Sequence, residues 1–199
     1  TIEPALSPRT KAIMVTHLFG NPCRMGEIME LARGRGIAVI EDCAHTMGAK
    51  WDGKHTGTWG KVGCYSAQTY KHINSGEGGF LISDDAEVMA RAVLLSGSYM
   101  LYARHSAAPG PEAFEAVRLE TPNISGRMDN LRAAILRPQL PLLADRVARW
   151  EARYRALEAG LQDTPGLRLV ARPAEETFVG SSFQFLLPGW SHARIGAFL

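Results

Sequence analysis

Ala12-Ile13-Met14-Val15-Thr16, followed about twenty residues later by Ile37-Ala38-Val39-Ile40-Glu41-Asp42, is the stretch that decides the fold. Both runs are short, apolar and rich in strand formers, which reads as buried parallel strands. Between them Asn21-Pro22 punctuates a loop. Met25, Ile28, Met29 and Ala32 then fall at helical spacing up to Arg33, and Gly34 and Gly36 bracket the exit. Strand, helix, strand over this length is a βαβ unit, whose crossover is expected to be right-handed. The fold class is therefore α/β. In such sheets ligands bind beyond the carboxyl ends of the strands, which is where Glu41 and Asp42 stand.

Working outward, Val62-Gly63-Cys64-Tyr65-Ser66 reads as a third strand and Gly79 to Ser83 as a fourth. Asp84-Asp85 can cap a helix from Ala86 to about Leu95. Gly97 to Pro122, containing Pro109, Gly110 and Pro111, reads as a long irregular connection, the kind that is usually functional or mobile. Met128 to about Leu161 is strongly helical in pattern, with Pro138 and Pro141 expected to break or kink it. Leu167 to Val170 and Ser182 to Leu187 suggest strands of a second, smaller unit. The chain ends at Ala197-Phe198-Leu199, within a helical pattern.

Composition narrows the class. At 199 residues a sizeable core can be buried, with room for one or two domains. Hydrophobic content of 46% and charged content of 21% are ordinary for a soluble globular protein. A net charge of +2 makes no case for nucleic acid or a membrane surface, and the arginines that supply most of the positive charge are scattered. No apolar run reaches the roughly 20 residues of a membrane span, and Thr1-Ile2-Glu3-Pro4 does not resemble a signal peptide. Cys23, Cys43 and Cys64 are odd in number and lack metal-type spacing, so a reducing cytoplasm is the expectation.

The chemistry concentrates in Glu41-Asp42-Cys43-Ala44-His45 and Ser66-Ala67-Gln68-Thr69-Tyr70-Lys71, followed by Ser75-Gly76-Glu77-Gly78-Gly79. This is the residue set that pyridoxal 5'-phosphate (PLP) requires. A carboxylate such as Asp42 keeps the pyridine nitrogen protonated, so the ring can take up the electrons of a broken Cα–H bond. Ser66 can offer its hydroxyl and backbone N–H to a phosphate. Lys71 can bond the cofactor aldehyde and afterwards serve as base, a role closed to arginine. Taken singly, Asp42 reads better as a helix cap or surface acid and Lys71 as a solvated loop lysine, and a structural role is the alternative for His45. Their order and spacing favour the joint reading. No G-x-G-x-x-G follows the first strand, where the segment is Phe19-Gly20-Asn21-Pro22, so a dinucleotide-binding module with Asp42 as its ribose acid is disfavoured.

In order and spacing these motifs resemble the DegT/DnrJ/EryC1/StrS family of PLP-dependent sugar aminotransferases. The resemblance continues in Val15-Thr16-His17-Leu18-Phe19-Gly20, Met47-Gly48-Ala49, Gly57-Thr58-Trp59-Gly60, Gly126-Arg127-Met128-Asp129, Ala133-Ala134-Ile135 and Gln139-Leu140. It covers most of residues 8–160. It implies a fold-type I PLP-dependent transferase: residues 1–135 as part of a large domain with a mixed sheet and helices on both faces, and 136–199 as a linking helix and the start of a small α+β domain. It further implies Lys71 as the Schiff-base lysine, Asp42 on the ring nitrogen, Ser66 on the phosphate and His45 near the ring. The implied activity moves an amino group from glutamate or glutamine to a keto-sugar nucleotide or related cyclic ketone, in a cytoplasmic homodimer with shared active sites.

Three departures qualify the match. The family carries a long segment ahead of Thr1 with further cofactor contacts, so the chain reads as an internal segment that is inactive by itself. His72 stands directly after Lys71, where the family usually has Asn. Ser125 stands where the family has an Asn that reaches the phosphate of a neighbouring subunit, with Asn123 as the alternative. A dehydrating branch of the family has histidine in place of the lysine, and Lys71 favours transamination over it. A PLP-binding homologue without catalysis is the remaining alternative.

Overall fold

The computed structural model describes residues 2–97 and 101–198. In chain order its elements are β1 (Ala12–Thr16), α1 (Met25–Arg33), β2 (Ala38–Asp42), β3 (Lys50–Trp51), β4 (Lys54–His55), β5 (Val62–Ser66), β6 (Gly79–Ile82) and α2 (Ala86–Leu95). They continue with α3 (Pro111–Glu115), α4 (Asn130–Leu136), α5 (Leu143–Leu161), β7 (Arg168–Leu169), β8 (Glu176–Thr177), β9 (Phe185–Leu186) and α6 (His192–Phe198).

The central sheet has the order β1-β2-β5-β6. β1, β2 and β5 are parallel and β6 runs antiparallel at the edge. Register sets the two faces. Ile13, Val15, Val39 and Glu41 point to one side, where Met25 and Ala32 of α1 complete a buried cluster with Trp51. Thr16 pairs with Asp42, and Asp42 with Cys64. With the two-residue alternation of a strand, Met14, Thr16, Asp42, Cys64 and Ser66 therefore share the opposite face. β1 is parallel as expected but not buried on both sides: Met14 is 70% exposed. Among the described residues β1 is an edge strand, and only the face turned to α1 is covered.

α2 begins where expected because the Asp85 side chain accepts the N–H of Val88 at 3.0 Å. Its buried Ala90, Val93 and Leu94 pack on Phe114 and Val117. The connection after Gly97 is thus less irregular than its composition suggests. Pro111 opens α3, at a helix position that needs no N–H, and Phe114 anchors the segment. Ser98 to Met100 lie outside the described residues. Pro138 and Pro141 convert residues Arg137–Leu142 to a 3-10 turn between α4 and α5, as their chemistry requires.

β7 pairs with β9 within the expected strand regions. The three-stranded sheet β4-β3-β8 was not foreseen; it joins a hairpin turning at Asp52-Gly53 to Glu176 and Thr177 near the other end of the chain. α6 covers the terminal helical pattern, and Leu199 lies outside the described residues.

Candidate active site

Two consecutive carboxylates end β2, and strand geometry sends them to opposite faces. Glu41 is fully buried on the α1 side. Its Oε1 accepts the N–H groups of Trp59 (2.8 Å) and Gly60 (2.7 Å). Its Oε2 accepts Gly57 N–H (2.7 Å) and stands 3.1 Å from His17 Nε2. Burial alone would raise the Glu41 carboxyl, but the bonds from His17, Gly60 and Gly57 outweigh it and hold the group below its usual range. His17 is also fully buried, and its Nδ1 accepts Cys23 N–H at 3.0 Å. That bond needs the Nδ1 lone pair, so the ring is neutral and donates from Nε2. His17, Glu41 and Cys43 bring ligand-type atoms within 4.8 Å of one another. Both ring nitrogens and both carboxylate oxygens are already engaged, so the cluster is a hydrogen-bonded brace that ties the β1 and Gly57–Gly60 loops to the end of β2.

Asp42 is half-buried on the open face. Its Oδ1 accepts Ala44 N–H at 3.1 Å, and its backbone carbonyl accepts His17 N–H. Among the described residues no cation is paired with it. Ser66 lies at the end of the neighbouring β5, on the same face by register. Its hydroxyl oxygen accepts Gln68 N–H at 3.2 Å, which leaves the hydroxyl proton available.

The loop after β5 is pinned at both ends. Ala67 and Ile73 are fully buried against Met47 and Leu136. Ala67 N–H bonds Gly78 O, and Thr69 N–H bonds Gly76 O, so the glycine-rich return clasps the loop. Gln68 O accepts Lys71 N–H at 2.9 Å and sets the lysine backbone. No carboxylate pairs with Lys71 among the described residues.

Lys71, His45, Phe19, Ala44, Tyr70, His72, Ser181 and Ser182 line one cavity of about 180 Å³. His45 stacks on Phe19, with ring centroids 6.0 Å apart, and its Nδ1 accepts Phe19 N–H at 3.1 Å. The ring proton therefore sits on Nε2. Burial and the Lys71 ammonium both lower the pKa of His45, opposed by Asp42. His72 Nε2 donates to Val179 O at 2.9 Å, and burial together with Lys71 lowers its pKa against the effect of that bond. Neutral imidazoles thus flank the lysine.

Phe19, Ser181 and Ser182 were not singled out as site residues from sequence. Phe19 adopts φ 57°, a left-handed conformation rare for a bulky residue. Its carbonyl accepts from Ser182 Oγ (3.0 Å) and Ser181 Oγ (3.3 Å). Nothing local in the sequence marks these serines, which reach the cavity only through tertiary folding. Ser125 and Asn123 do not line the cavity. Ser125 has φ 52°, and its N–H donates to Asn123 Oδ1 at 2.9 Å, in an exposed turn by the end of α2.

A family model for the DegT/DnrJ/EryC1/StrS aminotransferase family matches residues 1–193. The UDP-N-acetyl-3-dehydro-alpha-D-glucosamine 3-aminotransferase of Acidithiobacillus ferrooxidans is 33% identical, over 94% of this chain and 54% of that protein. The L-glutamine:scyllo-inosose aminotransferase of Streptomyces griseus is 35% identical over 74% of this chain and 34% of that protein. The crystal structure of S. venezuelae DesV in complex with a ketimine intermediate superposes with a TM-score of 0.78 at 28% identity, over 92% of this chain and 46% of that one. The chain thus spans about half the length of the first of these relatives, and less of the others. The fold is that of the fold-type I PLP-dependent aminotransferases, and the chain belongs to the DegT/DnrJ/EryC1/StrS aminotransferase family.

Proposed function

We propose that the full-length protein is a PLP-dependent aminotransferase that moves an amino group from glutamate or glutamine to a keto-sugar nucleotide or related cyclic ketone. The observation that carries this reading is the convergence of Lys71 and the neutral His45 on one cavity, next to the strand end that bears Asp42, with neither Lys71 nor Asp42 ion-paired among the described residues. The donor set fits the cofactor. A half-buried carboxylate without a counter-ion among the described residues suits a protonated pyridine nitrogen, and the Ser66 hydroxyl proton suits a phosphate oxygen.

On this reading Lys71 holds the cofactor covalently, Asp42 its ring nitrogen and Ser66 its phosphate, with His45 near the ring. Bound there, PLP supplies the electron sink for Cα–H cleavage. Lys71 Nζ moves the proton released from the donor Cα. Asp42 keeps a proton on the ring nitrogen, and Glu41 with His17 fixes the strand end from which Asp42 projects. Phe19 holds His45 in one tautomer and orientation. Lys71 stands where the dehydrating branch carries histidine, which favours transamination over dehydration.

Residues 1–135 then belong to the large PLP-binding domain, and 136–199 to the linking helix and the start of the small domain. Ser125 or Asn123 would serve the phosphate of a neighbouring subunit in a homodimer. A cytoplasmic location agrees with three free cysteines, and no helix among the described residues is long and apolar enough to cross a membrane. The test is amino transfer by the full-length protein with PLP, L-glutamine or L-glutamate and keto-sugar nucleotides, followed by mass detection of the amino sugar. Product formation that survives Lys71→Ala would overturn the reading.

A further inference from the structure

Arg172 lies in the connection between β7 and β8, and its side chain is only 9% exposed. The guanidinium packs on two rings, 4.4 Å from the centroid of Tyr154 in α5 and 3.9 Å from that of Phe178. Its Nη1 donates to Glu176 Oε1 at 2.7 Å and to Asn21 Oδ1 at 3.2 Å. Glu176 is held in place in turn, because β8 pairs with β3 and Asp52 N–H donates to Glu175 O. A guanidinium placed only to neutralise Glu176 would offer it two parallel donors. Here one nitrogen serves both partners, and the buried Nε has no acceptor among the described residues. The side chain is therefore set to reach Asn21 as well as to complete the ion pair.

Asn21 passes the constraint on. Its Nδ2 donates to Leu18 O (3.1 Å) and to Gln184 Oε1 (3.2 Å). Gln184 Nε2 donates to Ser182 Oγ and to Phe19 O, and Ser182 Oγ donates to the same Phe19 carbonyl. These bonds converge on a residue at φ 57°. Such a conformation persists in a bulky residue only where its surroundings over-determine it. The fit is close, since a Cβ at Gly20 would collide with Ser181 Oγ. On its other side Phe19 donates its N–H to His45 Nδ1 at 3.1 Å, and His45 shares the cavity with Lys71.

We propose that Arg172, which does not itself line the cavity, is a positioning residue for it: acting through Asn21, it fixes the Leu18–Gly20 turn and with it the tautomer and orientation of His45. Without the Asn21 link the strained Phe19 peptide is free to relax, and its N–H no longer selects the imidazole with Nδ1 bare. The inference rests on the aminotransferase reading only for the chemistry that the cavity performs.

The test is ring ¹⁵N NMR of His45 and amide exchange of Phe19 in the full-length protein, with and without PLP. Two variants are compared. N21A leaves the Arg172–Glu176 pair and its rings in place, so the fold is kept while the link is cut. R172K keeps a cation beside Glu176 but loses the fork that spans to Asn21. In wild type the ring shifts should report the Nε2–H tautomer alone. In both variants the shifts of the two nitrogens should converge as the second tautomer is populated, and Phe19 amide exchange should quicken by about fivefold or more. Covalent uptake of PLP, expected to persist in both variants, scores the cofactor reading separately. Unchanged His45 shifts in N21A and R172K overturn the proposal. So does a change in R172K without one in N21A, since Arg172 would then act only through the stability of the fold.

Discussion

Nε2 of His17 lies 3.1 Å from Oε2 of Glu41, and neither side chain is exposed to solvent. Through this pair the end of β1, the end of β2 and the Gly57–Gly60 loop are held as one unit, directly behind Asp42. Glu41→Ala would leave three backbone N–H groups and the His17 Nε2–H unsatisfied in the interior. A buried donor left without its acceptor costs about 1–3 kcal/mol, and urea denaturation of the full-length protein should show a loss of at least that size. Glu41→Gln keeps the shape but not the charge, and should fall between wild type and alanine.

The same carboxylate makes stability pH-dependent. The folded-state pKa of Glu41 is depressed below the ordinary 4.5, so the folded state resists protonation more than the unfolded chain does. Its contribution is complete above the unfolded value and is lost as pH falls through the folded one. Unfolding free energy should therefore drop as pH is lowered below about 4.5, and the drop should be shallower in Glu41→Gln. Parallel acid limbs in the two proteins would refute this role.

His45 titrates under the influence of Lys71. Burial and the lysine ammonium lower its pKa, and Asp42 pulls the other way. Histidine NMR titration of the full-length protein without PLP should find His45 below the ordinary 6.5, and Lys71→Ala should move it upward. An unmoved His45 would separate the two residues electrostatically and undo their placement around one cavity.

Much of this arrangement is legible from sequence, for identifiable reasons. The βαβ unit shows itself because Met25, Ile28, Met29 and Ala32 keep one helical stripe between two apolar runs. The start of α2 shows itself because Asp85 caps it. β3, β4 and β8 do not, since two-residue strands have no periodicity to read and Lys50 finds Thr177 only through the tertiary fold. The double exposure of β1 is hidden for a related reason: an apolar run does not say how many neighbours the strand will have. Of the candidate residues, Asp42, Ser66 and Lys71 carry local signals, and of these three only Lys71 lines the cavity. Phe19, Ser181 and Ser182 carry none, because their positions depend on how the segment after α5 folds back over the Leu18–Gly20 turn.

Asp42→Asn keeps the side-chain size and the Ala44 bond but removes the charge. If Asp42 sustains the proton on the cofactor ring, the variant should still take up PLP and should turn over slower by a hundredfold or more, on the order seen when a preorganised electrostatic partner is lost. Steady-state kinetics with saturating donor measure this. A wild-type turnover number would remove Asp42 from the mechanism.

The assignment of Lys71 is tested most directly by loading the full-length protein with PLP, reducing it with borohydride and mapping the modified peptide by mass. The account predicts one pyridoxyl group, on Lys71, and none in Lys71→Ala. A modification on any other lysine, or no covalent adduct at all, would contradict it.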